Sequence, residues 1–279
     1  MRAKWIMCSV TLLISMLAFT GFPAGAAEKK DGNAKTPYRV YFIGHSLYSF
    51  GSCNVPAAVQ YLSEVAQVDR PIQATTFIKG GARHEDYLNS PEVMKRLREE
   101  PWDIVIIAGN MNDMAHPERV NLEYAKKLDQ EVKSRQIRLL EYVAWPWVKV
   151  SGDQIFEQRM RAQEAFNQPL LDLAKETGAT LVPSGPGLVN VIKKDQKFLA
   201  DLKYGEVHIS PLGYYFTACV LFASIYNQNP EGLPSVFREY NIDKETARIL
   251  QATAWETVQE WRRLQADQLP KGQGPEPKK

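Results

Sequence analysis

The chain has 279 residues, of which 44% are hydrophobic and 24% are charged, and its formal net charge is +2 at pH 7. This composition is ordinary for a globular protein, and the charge is too small to indicate a nucleic acid or a strongly acidic partner. The length is sufficient for the well-buried core of a single domain.

Residues 1–26 have the pattern of a secretory signal peptide. Arg2 and Lys4 make the start positive, an apolar run follows, and small residues up to Ala26 provide a cleavage site. We therefore expect an exported protein, periplasmic or secreted, with no membrane contact after cleavage. The alternative is an uncleaved N-terminal anchor. Residues 27–37 are polar and are expected to form a flexible lead-in.

Strand-like and helix-like segments alternate along the rest of the chain. Clusters of β-branched, aromatic and apolar residues predict strands at 38–43, 72–78, 104–108, 137–143 and 180–182. Apolar residues at helical spacing and helix-end signals predict helices at 55–66, 91–99, 117–135, 154–177, 211–226 and 244–264. We expect one domain over residues 38–265 and a disordered tail over 266–279.

This alternation predicts an α/β fold with a mostly parallel five-stranded sheet and helices on both faces. In such sheets the ligand site lies at the carboxyl ends of the strands. The most distinctive residues follow strands: Ser46, Gly80 with Gly81, and the segment 110–113. We therefore expect the functional site at that edge of the sheet.

Two residues have the chemistry of a nucleophile and its base. Ser46 follows a strand and a glycine, where a turn can expose its hydroxyl; the alternative is a serine that caps the next helix. Serine is a weak nucleophile until a base takes its proton. Of the four histidines, His208 lies just before an apolar helix, on a loop that can reach back over the sheet. The alternative is a surface or capping histidine.

Two other groups can stabilise a developing oxyanion. Gly80 and Gly81 can bring backbone N–H groups close to a ligand, or they can form only a tight turn. Asn110 and Asn112 follow the most apolar strand, where a side-chain amide can donate to an oxyanion. The alternative for both asparagines is an Asx-turn.

Aromatic residues near the same edge are candidates for substrate binding. Trp145 and Trp147 follow the strand at 137–143 and can stack on a sugar ring or cover an acyl chain. The alternative is core packing and a lid. His45, beside Ser46, either contacts substrate or its neighbours, or it replaces a residue that holds the loop.

Two cysteines, Cys53 and Cys219, follow the N-terminal segment. Export would place them where a disulfide is permitted, and the alternative is two buried thiols. No cluster of histidines accompanies them, so they do not predict a metal site. The sequence therefore predicts neither a metal nor a cofactor.

Four segments of the chain, taken in order, resemble the blocks of the SGNH (GDSL-like) hydrolase family. The first is YFIGHS at 41–46, with His45 where Asp or Asn is usual, and the second is KGGA at 79–82. In the third, Asn112-Asp113 falls at the family's Asn-Asp pair and Asn110 at its usual glycine. The last is HISPLGY at 208–214. The resemblance extends over about residues 38–230.

The resemblance implies a flavodoxin-like three-layer α/β/α fold and acyl transfer to water through an acyl-enzyme. Ser46 would be the nucleophile and His208 the general base. The oxyanion hole would be formed by the N–H of Ser46, a glycine N–H (Gly81 favoured over Gly80), and the amide of Asn112, with Asn110 as the alternative.

The sequence departs from the family at the acid of the triad. The family's Asp, three residues before the histidine, is replaced by Gly205. Glu206 or Asp201 can orient the imidazole, with Glu206 favoured, or neither does so. A missing acid lowers the rate but need not abolish catalysis.

The expected function is an exported serine ester hydrolase that removes acetyl groups from a carbohydrate. Its partner would be a small-molecule or carbohydrate ester. A catalytically silent glycan-binding protein on the same fold is the alternative that the missing Asp supports. A sugar O-acetyltransferase would use the same residues but exclude water from the acyl-enzyme.

Overall fold

The architecture is taken from a computed structural model, which describes residues 36–110, 120–145, 155–204, 208–238 and 240–268. Within these ranges, five strands form one sheet and the others form two-residue ribbons. In chain order the strands are β1 (Tyr38–Gly44), β2 (Ser49–Phe50), β3 (Cys53–Asn54), β4 (Ile72–Ile78), β5 (Ile104–Ile107), β6 (Arg138–Tyr142), β7 (Thr180–Val182), β8 (Lys203–Tyr204), β9 (His208–Ile209), β10 (Val236–Phe237) and β11 (Tyr240–Asn241).

Helices connect the strands of the sheet, and further helices follow the last of these strands. In chain order they are α1 (Val55–Val65), α2 (His84–Leu88), α3 (Pro91–Glu99), α4 (Val120–Ser134), α5 (Ile155–Thr177), α6 (Ser184–Lys194), α7 (Phe198–Asp201), α8 (Pro211–Tyr226) and α9 (Lys244–Asp267). In the ranges described above, no helix is both long enough and apolar enough to cross a membrane.

The five-stranded sheet has the order β4-β1-β5-β6-β7, and every neighbouring pair is parallel. β1 therefore lies between β4 and β5. Because parallel strands end at the same edge, the residues that follow these strands meet there. The predicted parallel sheet and α/β class are confirmed.

Alternate residues of the inner strands belong to two different cores. In β1, Val40 and Phe42 pack into the core that contains α1, α8 and α9, whereas Tyr41 and Ile43 pack into the core that contains α2, α3 and α4. Burial on both faces explains why these strands are almost continuously apolar. The result is the predicted three-layer sandwich.

Capping residues begin two of the helices where the sequence indicates a start. Ser90 accepts a hydrogen bond from Val93 N (3.4 Å) at α3. Ser210 accepts one from Gly213 N (3.4 Å) at α8. A proline occupies the first turn of both helices, where its missing N–H costs nothing. The start of α8 matters for the site because His208 lies three residues before it.

Some elements differ from the sequence prediction. α2 was not predicted because it is only five residues long, and α6 because its first turn contains Gly185, Pro186 and Gly187. A first turn tolerates such residues because its N–H groups have no partner within the helix. α9 ends at Asp267, beyond the predicted helix end at residue 264. Residues 1–35, 111–119 and 269–279 lie outside the described residues. The predictions made for these segments therefore stay predictions.

Cys53 and Cys219 are both buried, and no disulfide joins these two described residues. Cys53 lies in β3 and Cys219 in α8.

Candidate active site

Ser46 lies in the turn that follows β1. Tyr48 N donates to the carbonyl of His45 (2.9 Å), and Val55 N donates to the carbonyl of Tyr48 (2.8 Å). These bonds stabilise the chain where it passes from the sheet through the β2–β3 ribbon into α1. Ser46 remains partly exposed, at the carboxyl edge of the sheet where the sequence predicts the site.

The ring of Tyr48 fixes the start of this turn. A Cβ added at Gly44 would lie only 2.3 Å from Tyr48 Cδ2, so this position requires glycine. Tyr48 is fully buried and makes edge contacts with Phe42 and Tyr142, at ring-centroid distances of 5.8 and 5.1 Å. Since the ring is packed inside the core, the core sets the path of the chain into Ser46.

His45 stabilises the same turn from within. Its side chain is 6% exposed, and its Nδ1 accepts a hydrogen bond from Leu47 N (3.3 Å). Burial lowers the pKa of His45 to about 4, an effect that the Gly109 carbonyl partly offsets. The ring is therefore neutral at pH 7, with its proton assigned to Nε2. Of the two roles left open by the sequence, this geometry fits a residue that holds the loop.

Backbone hydrogen bonds attach the ends of β4 and β5 to the end of β1. Lys79 N donates to the carbonyl of Gly44 (2.9 Å), and Ala108 N donates to the carbonyl of Ile43 (2.8 Å). The residues that follow β4 and β5 therefore lie on either side of the Ser46 turn.

The candidate oxyanion-hole residues lie on these two flanking loops. Gly80 and Gly81 are exposed in a turn closed by Ala82 N, which donates to Lys79 O (3.2 Å), and Gly81 has a φ of +66°. Asn110 N donates to the carbonyl of Ala82 (3.0 Å), so the two loops are joined. Asn112 lies outside the described residues, and Asn110 is partly exposed.

His208 is presented by the β8–β9 ribbon. It pairs with Tyr204 in β8, and Ser210 N donates to the carbonyl of Leu202 (2.9 Å) where the ribbon passes into α8. The imidazole stacks on the ring of Phe50, with centroids 3.6 Å apart and planes 11° apart. Since Phe50 lies four residues after Ser46, this contact brings the two segments together.

A hydrogen bond makes the second connection between these segments. Tyr214, in the first turn of α8, donates its hydroxyl proton to the Ser46 carbonyl (2.7 Å). No hydrogen bond joins the side chains of Ser46 and His208, both of which the structure describes. Such bonds are often long or poorly aligned before substrate binds.

The protonation of His208 suits a base. Desolvation lowers its pKa below the ordinary value of 6.5, so the ring is neutral at pH 7 and can accept a proton. Of the two candidate acids, Glu206 lies outside the described residues. Asp201 ends α7, two residues before β8 begins.

The two candidate aromatic residues differ in what the structure shows of them. Trp145 is 7% exposed and belongs to the core that contains α8, which agrees with the core-packing alternative. Trp147 lies outside the described residues.

Among the side chains that the structure describes, no group of three or more His, Cys, Asp or Glu is arranged to hold a metal ion.

Three contributors to the site were not identified from the sequence. Phe50, Tyr48 and Tyr214 are ordinary aromatic residues in the sequence, and their roles depend on contacts between distant segments. The only available signal was position, since Phe50 and Tyr48 follow Ser46 closely and Tyr214 belongs to the block that begins at His208.

Comparison with known proteins gave matches in structure alone. No protein-family model matches the chain, and neither does any curated protein. A DUF4886 family protein from Bacteroides uniformis has a TM-score of 0.61 at 15% identity, with 81% of this chain and 95% of that chain covered. A candidate SGNH hydrolase from Slackia heliotrinireducens has a TM-score of 0.52 at 19% identity, covering 68% and 99%.

The acetylxylan esterase Axe2 from Geobacillus stearothermophilus, in a catalytic mutant, gives a TM-score of 0.50 at 17% identity, covering 74% of this chain and 100% of that chain. At sequence identities this low, structural similarity shows the fold but not the activity. The chain has the fold of SGNH hydrolases, as its four sequence blocks predict, and this is a fold that known esterases use.

Proposed function

We propose that the protein is a serine ester hydrolase in which Ser46 is the nucleophile and His208 is the general base. The observation that carries the proposal is the pair of contacts between their segments. Phe50 stacks on His208, and Tyr214 holds the carbonyl of Ser46. A partly exposed serine and a neutral histidine thus share one edge of a sheet whose fold known esterases also have.

In the proposed reaction, His208 takes the proton of Ser46 Oγ as the oxygen attacks the ester carbonyl. The imidazolium then gives that proton to the leaving alcohol, and an acyl-enzyme remains. A water molecule, deprotonated by the same imidazole, attacks the acyl group, and the proton returns to Ser46 as the acid is released.

The negative charge of the tetrahedral intermediate needs donors aimed at its oxygen. We assign this role to the N–H of Ser46, the N–H of Gly81 (or Gly80) and a side-chain amide, from Asn112 or Asn110. The support for this assignment is that the loops of Gly81 and Asn110 are bonded to each other and flank the Ser46 turn.

We propose an acetylated carbohydrate as the substrate. The support is the shared fold with an acetylxylan esterase and the signal-peptide pattern at 1–26, which would bring the protein to glycans outside the cytoplasm. A catalytically silent glycan-binding protein is the second candidate, because Gly205 replaces the acid expected before His208.

The first test is hydrolysis of p-nitrophenyl acetate by the chain without residues 1–26, compared with Ser46→Ala and with the control Ser63→Ala. Ser63 is fully buried and bonds to Ile72 N (2.9 Å) at the amino end of β4, away from the site. We expect Ser46→Ala to have only background activity and Ser63→Ala to retain the activity of its folded fraction.

Equal activity in the wild type and Ser46→Ala would contradict the proposed mechanism. Release of acetate from acetylated xylo-oligosaccharides, absent with Ser46→Ala, would support the carbohydrate substrate. Binding of these oligosaccharides without any Ser46-dependent turnover would instead support the silent binding protein.

A further inference from the structure

Three buried titratable side chains beside the candidate site have no part in the proposed reaction. His84 begins α2, Asp129 lies in α4 and Glu141 lies in β6, and all three are fully buried. His84 Nε2 lies 3.3 Å from Glu141 Oε2. The side chain of Asp129 interacts with that of Glu141. We refer to these three residues as the buried acid–histidine cluster.

Burial disfavours the charged form of all three side chains. Desolvation lowers the pKa of His84 to about 4 and raises that of Glu141 to about 8. Desolvation, together with the charge of Glu141, also raises the pKa of Asp129 well above its ordinary value. The close contact is therefore a hydrogen bond between a carboxylic acid and a neutral imidazole. Among the residues that the structure describes, His45, Tyr48 and Tyr87 also interact electrostatically with the cluster.

Stability alone does not account for the cluster. Nδ1 of His84 is buried without a hydrogen-bond partner, and the oxygens of Asp129 and Oε1 of Glu141 have only weak contacts, between Asp129 and Glu141 and between Asp129 and Thr177. Burying polar groups without full hydrogen bonding is unfavourable, and well-packed apolar residues in place of buried charged or polar clusters are often as stable. A role in positioning other groups would explain why polar residues occupy this space.

His84 connects the cluster to the site by direct contact. A Cβ added at Gly109 would lie 2.1 Å from both Cε1 and Nδ1 of His84, so the imidazole packs directly on the main chain of Gly109. His45, the neighbour of Ser46, also interacts with the Gly109 carbonyl and with His84. Gly109 thus contacts both the cluster and the turn of the nucleophile.

The residues on either side of Gly109 are hydrogen-bonded to α2 and to the turn that precedes it. Tyr87, in α2, donates its hydroxyl proton to the carbonyl of Ala108 (2.9 Å). Asn110 N donates to the carbonyl of Ala82, two residues before α2 begins (3.0 Å). The loop 108–110 is therefore fixed at three successive residues by α2 and the turn that precedes it.

We propose that the buried acid–histidine cluster positions the oxyanion hole. Glu141 fixes the ring of His84, and the ring fixes the loop 108–110 against the turn that contains Gly80 and Gly81. The inference rests on the proposed function, since it concerns donors of that same site. A displacement of about 1 Å in such a group can cost roughly 100-fold in rate.

The test compares Glu141→Leu with Glu141→Gln. Leucine removes the partner of His84 Nε2, whereas glutamine keeps a neutral donor of nearly the same shape. We expect Glu141→Leu to lower kcat for p-nitrophenyl acetate by about 10- to 100-fold with KM nearly unchanged, because the donors act mainly on the transition state. Glu141→Gln is expected to stay within about threefold of the wild-type kcat.

A second measurement does not depend on activity. Amide hydrogen exchange in peptides that cover 79–84 and 108–110 should become faster in Glu141→Leu, but not in Glu141→Gln or in the control Ser63→Ala. If Glu141→Leu does not fold, His84→Gln replaces it, because this change keeps a polar side chain but removes the ring that packs on Gly109.

Two results would overturn the inference: unchanged kcat in a folded Glu141→Leu or His84→Gln, or exchange at 108–110 no faster than in Ser63→Ala. Failure of the proposed function is a different result, in which the wild type shows no Ser46-dependent hydrolysis. Hydrogen exchange would then still decide whether the cluster fixes the loop.

Discussion

The two sides of the candidate active site are held in different ways. Ser46 follows an inner strand of the sheet, and its turn is bonded to the chain after β4 and fixed by the buried ring of Tyr48. His208 lies on a two-residue strand, is partly exposed, and is held by its stack on Phe50 and by the start of α8.

Because of this difference, we expect substitutions on the two sides to affect folding stability and activity differently. The nucleophile side is part of the core, so a change there disturbs folding and activity together. The base side rests on a few contacts at the surface of the fold, so a change there should affect activity with little effect on folding. Three predictions test this contrast.

The largest effect is expected on the base side. His208→Ala should lower kcat for p-nitrophenyl acetate by about 100- to 10,000-fold, since general base catalysis contributes roughly this factor. Its melting temperature should stay within about 2 °C of the wild type, because a partly exposed side chain on a ribbon contributes little to the core. A large loss of stability in this variant would remove the contrast between the two sides.

The next effect is expected on the nucleophile side. Gly44→Ala would place a Cβ 2.3 Å from the Tyr48 ring. We expect a loss of about 1–3 kcal/mol in the free energy of unfolding, together with lower kcat, because relief of the overlap must shift the ring or the turn. Urea unfolding and kinetics on the same sample would measure both.

Gly51→Ala is the matched control for the glycine variant at position 44. Gly51 lies in the β2–β3 ribbon and has a φ of +61°, but no atom lies within 4 Å of a Cβ added there. Any loss of stability in this variant should therefore come from backbone strain alone and not from overlap of the new Cβ with another side chain. If Gly44→Ala were as stable as the wild type, the close contact with Tyr48 would not fix the turn.

The smallest effect concerns the pH dependence of the base. Because His208 must be neutral to accept a proton, kcat/KM should rise with pH through its pKa, and desolvation places this inflection below 6.5. Phe50→Ala lets water reach the imidazole, so the inflection should move up towards 6.5. Most of the imidazole is still neutral at pH 7, so this shift alone should lower kcat/KM at that pH by less than about twofold.

Phe50→Tyr keeps the stacked ring and should leave the pH profile unchanged. A move of the inflection to lower pH in Phe50→Ala would contradict the desolvation account. That result would mean that the aromatic ring chiefly stabilises the charged imidazolium.

Much of the fold could be predicted because its signals are local. The β-branched run of β4, the proline and serine at the start of α3, and the apolar α8 each determine their own element, and the predicted bounds of these three are confirmed. α6 was missed because its Gly-Pro-Gly start is typical of loops, and only burial between other elements makes it a helix.

The candidate site could be proposed from the sequence, but the contacts that support it could not. Ser46 and His208 are candidates because Ser46 follows an apolar strand and His208 precedes an apolar helix, each within a block that resembles the family. The stack of Phe50 on His208 and the packing of His84 on Gly109 join residues from distant parts of the chain. Such contacts depend on tertiary structure, so no local pattern indicates them. The role of Asn112, Glu206 and Trp147 stays a prediction.

The most direct test of the central claim is covalent labelling by a fluorophosphonate, with the modified residue identified by peptide mass. The account predicts one phosphonyl group on Ser46 in the wild type, much slower labelling in His208→Ala, and none in Ser46→Ala. A wild type that is active on p-nitrophenyl acetate but labelled at another residue, or not labelled at all, would contradict the assignment of Ser46 as the nucleophile.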